Sequence, residues 1–234
     1  MLRLAHRGDH AHAPENTLAA FEAAIARPGC DGVEFDVRVS ADGVAVVLHD
    51  DTLARVQGRP ERADSLTAAQ LREFGVPTLV AVLSACGPDA FLDIELKEDL
   101  GATALAPIRA ARGLPDGSLA PAVVSAFEPA SIATVRRLAP AVGCWLNVDD
   151  LESATLDLAV ALGCRGISAD WRAIDARTAA AAARAGLDLA AFTFTNRRTL
   201  ARLERLGVVA ACVEGVVLSR RPGASRERLR GRRR

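Results

Sequence analysis

Near the front of the chain, apolar and polar residues trade places every second position. The run Gly32-Val33-Glu34-Phe35-Asp36-Val37-Arg38-Val39 lies between a glycine and a Ser-Ala-Asp-Gly turn, and predicts a β-strand. Side chains two apart on a strand share a face, so Val33, Phe35 and Val37 take one side and Glu34 and Asp36 the other. A second run, Ala90 to Lys97, repeats the pattern with Asp93, Glu95 and Lys97 on one face. Two neighbouring buried carboxylates repel, and a divalent cation between them removes the conflict. A solvated edge strand is the plainer alternative for a lone Glu-x-Asp such as Glu34-Phe35-Asp36.

The rest of the chain alternates strand with helix. Leu2 to His6 is a short strand, and Leu18, Phe21, Ala24 and Ile25 then recur at helical spacing behind Asn16 or Thr17 as cap. After Gly43 a run from Val44 to Leu48 ends on His49-Asp50-Asp51. Short helices are predicted from Thr67 to Phe74 and from Pro77 to about Cys86. Strands at 122–127, 142–147, 166–168, 188–194 and 214–219 alternate with helices at 102–112, 130–138, 153–162, 176–185 and 198–206. Leaving out the hairpin at 44–48, this makes eight strands, which predicts an α/β fold. It is a single-domain (β/α)8 TIM barrel with a small β-hairpin extension after the second strand. A doubly wound open sheet is the alternative, but neither G-x-G-x-x-G nor G-x-x-x-x-G-K-[ST] occurs. The barrel is expected over residues 1–223, with a solvated Arg-rich tail at 224–234.

Composition narrows the function. The 234 residues are 50% hydrophobic but only 4% aromatic, so the core is built from Ala, Val and Leu. A formal charge of zero gives no bias toward nucleic acid. The five cysteines form no Cys-x-x-Cys pair, which points to reduced thiols and a cytoplasmic protein. No apolar run reaches the roughly 18 residues of an integral membrane segment. Nothing in the sequence specifies an oligomeric state.

Active sites in such barrels lie at the C-terminal strand ends. There the first strand offers His6 and Arg7, the second Glu34 and Asp36, the hairpin His49, and the third barrel strand Glu95 and Lys97. The later strands end in neutral residues on this register. Three carboxylates make an oxygen-rich site for one hard divalent cation, Ca²⁺ or Mg²⁺. Two histidines suit acid–base work, and Arg7 and Lys97 offer positive charge to an anion. Lys97 is the only lysine in the chain, which suggests a position that requires a compact ammonium. Metal, two bases and two cations fit phosphoryl-ester hydrolysis better than glycosidic chemistry, which needs only paired carboxylates. His10 and His12, in the first loop, are expected to be solvated.

With these residues in place the chain resembles the glycerophosphodiester phosphodiesterase family. The shared segments are His6-Arg7-Gly8, Pro14-Glu15-Asn16-Thr17, Glu34-Phe35-Asp36-Val37, Asp42-Gly43, His49-Asp50 and Glu95-Leu96-Lys97, in order, with weaker echoes at Ser125-Ala126-Phe127 and Thr193-Phe194-Thr195-Asn196. The resemblance implies a metal-dependent hydrolase cleaving small-molecule glycerophosphodiesters to an alcohol and glycerol 3-phosphate. Glu34, Asp36 and Glu95 would hold the metal and His6 and His49 would be the acid–base pair. Arg7, Lys97, Phe127 and Phe192 would contact substrate, with Glu15 and Asn16 orienting the first loop from behind. The family often has Trp where Phe192 stands, and a Thr-Asp pair where Leu218-Ser219 stand, both on the substrate side. Alternatives on the same barrel are a lysophospholipase D or a phosphatidylinositol-cleaving enzyme, with Trp145 or Trp171 as an apolar lip. A catalytically silent binding protein is a third.

Overall fold

Eight parallel strands close on themselves in the computed structural model, which describes residues 1–219. The expected boundary at 223 and the Arg-rich tail lie outside the described residues. In chain order the strands are β1 (Leu2–His6), β2 (Gly32–Val39), the short β3 (Ala45–Val47), β4 (Phe91–Leu96), β5 (Ala122–Ala126), β6 (Cys144–Val148), β7 (Gly166–Asp170), β8 (Asp188–Phe194) and β9 (Ala210–Val213). The circuit runs β1-β9-β8-β7-β6-β5-β4-β2, and β1 pairs with both β9 and β2 to complete it. β3 stands outside the ring, antiparallel to β2 with Val37 opposite Val47. The barrel with its hairpin extension is therefore the fold that the alternation predicted.

Helices α1 (Leu18–Ile25), α4 (Leu79–Ala85), α5 (Gly101–Arg112), α6 (Pro129–Leu138), α7 (Ser153–Ala161), α8 (Ala176–Arg184) and α9 (Arg197–Arg205) follow the barrel strands in turn. The small α2 (Ala54–Gln57) and α3 (Ala68–Glu73) belong to the excursion between β3 and α4. Their starts are legible in sequence: the Thr17 and Asn196 side chains accept from the backbone N–H three residues on, satisfying donors that a helix leaves open.

The period of two sorts each strand into two apolar sets. Val33, Phe35, Val37, Leu92, Ile94 and Leu146 face outward and join Phe21, Leu83, Ile108 and Ile132 of the helices in the main core. Leu4, Val123, Trp145, Ala190, Ala210 and Cys212 face inward and form a separate cluster with Leu2 and Phe91. These inward residues plug the barrel near the strand starts, so the lumen is filled below and open above. Trp145 stacks on Phe91 with ring centroids 6.0 Å apart. Gly166 makes room for it, since a Cβ there would lie 2.9 Å from Trp145 Cδ1 and 2.5 Å from the Asp188 carbonyl oxygen.

Two expectations need correction. The last strand is not 214–219 but Ala210–Val213, and Gly215–Val217 form a 3-10 turn instead. Gly215 has φ +62°, outside the strand region, so Val216 and Val217 follow a bend despite their β-branched side chains. Trp145 is not a lip residue, because it sits in the plug at 2% exposure. Trp171 is partly buried against Phe194, with the Arg172 and Arg202 guanidinium groups 4.7 and 5.8 Å from its ring centroid. Trp145 therefore provides no apolar lip, and Trp171, which follows β7, is not among the residues lining the cavity.

Candidate active site

Above the plug lies a cavity of about 350 Å³. His6, Arg7, Glu34, His49, Asp93, Glu95 and Lys97 line one part of it, and Phe127, Asn147, Ser168, Asp170 and Phe192 are among those lining the rest. Strand register produces the acidic wall. Glu34 lies opposite Asp93 and Asp36 opposite Glu95 in the β2–β4 ladder, so four inward carboxylates stand in two adjacent rows. One oxygen each from Glu34, Asp36 and Glu95 lie within 4.8 Å of one another, and all three residues are buried. Asp36, 1% exposed, sits behind the cavity surface rather than on it.

His49 arrives by hairpin geometry. The Leu48 amide donates to the Asp36 carbonyl at 3.0 Å, so the antiparallel return from Val39 sets residue 49 beside the metal-type carboxylates. Arg38 Nε donates to the His49 carbonyl at 2.9 Å and fixes the turn. His49 Nδ1 is 2.6 Å from Asp50 Oδ1, and Arg55 Nε donates to Asp50 Oδ2 at 2.6 Å. Burial lowers the His49 pKa, against the opposing pull of Asp36 and Asp50. Arg55 also grips Glu15 with both terminal nitrogens, at 2.7 and 2.8 Å, and Arg7 Nη1 donates to Glu15 Oε1 at 2.9 Å. Burial raises the Glu15 carboxyl, but the Arg55 and Arg7 hydrogen bonds and charges outweigh it and hold Glu15 at about 2. Glu15 thus ties the His6 loop to the His49 loop.

Two residues hold a left-handed backbone that side chains disfavour: Arg7 with φ 56° and Asn16 with φ 57°. Both are held by the acids. The Arg7 amide donates to Glu34 Oε2 at 3.1 Å and its Nε pairs with Asp36 Oδ2 at 3.2 Å, while Asn16 Nδ2 donates to Asp36 Oδ2 at 2.9 Å. Lys97 Nζ donates to Glu95 Oε1 at 2.6 Å and lies 3.6 Å from Asp36 Oδ1. Asn147 Nδ2 reaches the other Glu95 oxygen at 3.2 Å. Burial, then Asp36, Glu95 and Asp93, push the Glu34 carboxyl well above the usual carboxylate range, and burial also raises Glu95. Asp93 is buried too, accepts from Ser125 Oγ at 2.6 Å and is pushed up to about 7 by burial. The donor set is all oxygen, concentrated and under-neutralised by Arg7 and Lys97, so these residues fit a hard divalent cation.

The other two expected contacts form the apolar wall. The Phe127 and Phe192 rings meet edge to face at 5.5 Å, and Lys97 Nζ lies 5.9 Å from the Phe127 centroid. All eleven residues singled out from sequence thus lie in or directly behind one mouth. What the strand register missed is Glu214. It follows β9, and its Oε1 lies 2.7 Å from His6 Nδ1; the hydrogen bond from His6 lowers its pKa. Asp170, at the end of β7, also belongs to the wall, so the far rim is not neutral. The run Val208 to Val213 was the signal that would have moved the last strand back and put Glu214 at its end. His12 and His10 are both exposed as expected, but the His10 side chain, 31% exposed, has a partner: its Nε2 lies 3.5 Å from Glu214 Oε1, with its ring beside that of His6.

Fold and site together define a TIM-barrel protein with a carboxylate cluster and two imidazoles at the C-terminal mouth of its strands. The chain belongs to the Glycerophosphoryl diester phosphodiesterase family, whose model matches residues 6–217. It is similar to a glycerophosphodiester phosphodiesterase of Caldanaerobacter subterraneus subsp. tengcongensis, 36% identical over 113 residues, covering 42% of this chain and 46% of that protein. It also resembles glycerophosphodiester phosphodiesterase 1 of Mus musculus, 34% identical over 120 residues, or 44% of this chain and 36% of the relative. The chain thus matches less than half the length of these relatives. Among solved structures, an Oleispira antarctica phosphodiesterase in complex with the product sn-glycerol-3-phosphate is 25% identical with a TM-score of 0.77, covering 91% of this chain and 92% of that one. The glycerophosphodiester phosphodiesterase of Thermotoga maritima shares the fold with a TM-score of 0.78 at 23% identity, covering 91% of this chain and 94% of that chain. Among the described residues, no helix is long and apolar enough to cross a membrane.

Proposed function

We propose that this barrel hydrolyses glycerophosphodiesters to an alcohol and glycerol 3-phosphate. The observation that carries it is the convergence of Glu34, Asp36 and Glu95 within 4.8 Å, in a mouth also lined by His6, His49 and Lys97. Support for the substrate class comes from family membership and from the glycerol 3-phosphate product bound by the Oleispira relative. Glu34, Asp36 and Glu95 would hold one Ca²⁺ or Mg²⁺, which when bound supplies positive charge for the phosphoryl oxygens.

The chain's own residues do the rest. Nδ1 of His6 faces Glu214 and Nδ1 of His49 faces Asp50, which leaves Nε2 of each ring for proton transfer. One imidazole takes the proton of the attacking hydroxyl, and the other gives a proton to the departing alcohol oxygen. Lys97 and Arg7 add positive charge at the mouth, and Phe127 and Phe192 form an apolar wall for the alcohol. Five free cysteines accord with a cytoplasmic setting. The test is product analysis on a panel of glycerophosphodiesters after chelation and after adding back Ca²⁺ or Mg²⁺. Glycerol 3-phosphate is expected only from metal-restored protein. Its failure to appear from every diester after restoration refutes the proposal.

A further inference from the structure

A second group of possible ligands stands beside the carboxylate cluster and differs from it in kind. His6 ends β1, His10 lies in the loop that follows, and Glu214 follows β9, so the three meet across the seam where first and last strands pair. One donor atom from each lies within 4.8 Å of the others. Two separations are fixed by Glu214 Oε1, which is 2.7 Å from His6 Nδ1 and 3.5 Å from His10 Nε2. Ligand atoms on a tetrahedral zinc ion, with bonds of about 2.0–2.2 Å, stand about 3.4 Å apart. The His10 separation already matches, and the shorter His6 separation is that of a hydrogen bond which a metal would replace. The His6, His10 and Glu214 side chains are 19%, 31% and 28% exposed, so an ion can reach them from solvent. A neighbouring cavity of about 210 Å³, lined by Asp9, His10, Thr195 and Glu214, has room for water as a further ligand.

Chemistry separates this cluster from the first. Two imidazole nitrogens and one carboxylate oxygen suit zinc and its transition-metal neighbours, whereas an all-carboxylate set suits Ca²⁺ or Mg²⁺. We infer that His6, His10 and Glu214 form a zinc-class metal site whose occupation silences His6. The site stands on geometry alone; its inhibitory effect rests on the proposed acid–base role of His6. A metal on Nδ1 displaces the hydrogen bond to Glu214 and holds the ring neutral with Nε2 as an N–H, so the ring can neither accept a proton as a base nor form the imidazolium from which an acid donates. Turnover supported by Ca²⁺ or Mg²⁺ would then fall as zinc fills the second site.

The test uses the full chain with Mg²⁺ in excess. Zinc affinity is measured by calorimetry, and Co²⁺ serves as a visible-absorption probe, since few-coordinate cobalt absorbs far more strongly than cobalt in an octahedral oxygen site. Wild type is expected to bind zinc, show the intense cobalt bands and lose turnover in parallel. His10→Ala and His10→Gln are expected to keep Mg²⁺-supported turnover, lose the cobalt bands and bind zinc roughly 100-fold more weakly, since even outer-shell changes cost 10–100-fold. Equal zinc affinity in wild type and both variants, or cobalt bands that persist in them, overturns the site. Zinc held through His10 with turnover untouched leaves the site standing and falls instead on the acid–base role of His6.

Discussion

Replacing His49 by alanine isolates proton transfer from everything else the mouth does. A positioned acid or base contributes about 10²–10⁴-fold, or roughly 2.7–5.5 kcal/mol of barrier at 1.36 kcal/mol per factor of ten. The fold loses little by comparison. The bonds that set the hairpin, from the Leu48 amide to the Asp36 carbonyl and from the Arg38 side chain to the His49 carbonyl, survive the substitution. Asp50 loses one partner but keeps Arg55, so the stability cost is about 1 kcal/mol, or a Tm shift of about 2–4 °C. Turnover on a glycerophosphodiester, with glycerol 3-phosphate assayed directly, is therefore expected to fall at least about a hundredfold while thermal unfolding barely moves. A paired assay with a nitrophenyl leaving group sorts the two roles. The loss shrinks if His49 protonates the leaving oxygen and persists if it activates the nucleophile. Turnover within a few-fold of wild type on the natural type of diester would refute the assignment.

Other expectations follow from the plug and the loop clamp. Trp145→Ala empties the base of the lumen and is expected to cost about 3–5 kcal/mol in urea unfolding, with Trp145→Phe costing much less. Equal, small losses would mean that the plug is not tightly packed. Glu15 and Asp50 are both held at about 2, Asp50 chiefly by its hydrogen bond from Arg55. Folded values below the unfolded ones give stability that is present above about pH 4.5 and lost as pH falls toward 2. Arg55→Ala should therefore bring acid unfolding to higher pH, with stability near neutral pH reduced as well, followed by circular dichroism. An unchanged acid transition would argue against the clamp.

Much of this was legible because strand periodicity is local. The two-residue spacing in Glu34-Phe35-Asp36 and Asp93-Ile94-Glu95 already separates the wet face from the dry one, and parallel pairing with equivalent register does the rest. The eight-strand count and the hairpin followed from the same local signals. What failed depends on features that no short window carries. Gly215-Val216-Val217 has the composition of a strand, but its backbone bends at Gly215, and that error hid Glu214. His10 is the exposed loop residue its local sequence suggested, but its neighbour Glu214 is some two hundred positions away, so no short window pairs the two. Trp145 shows the same limit: its face of β6 was readable, but not whether that face sits low in the plug or high at the mouth.

The excursion that delivers His49 has its own small apolar cluster of Val46, Leu48, Leu53, Ala63, Leu71 and Val76, separate from the main core. A unit with its own minor core can open while the larger ring stays intact. Mild heating or low denaturant would then switch the protein off before it melts, and cooling would restore it without any need to rebuild the staves.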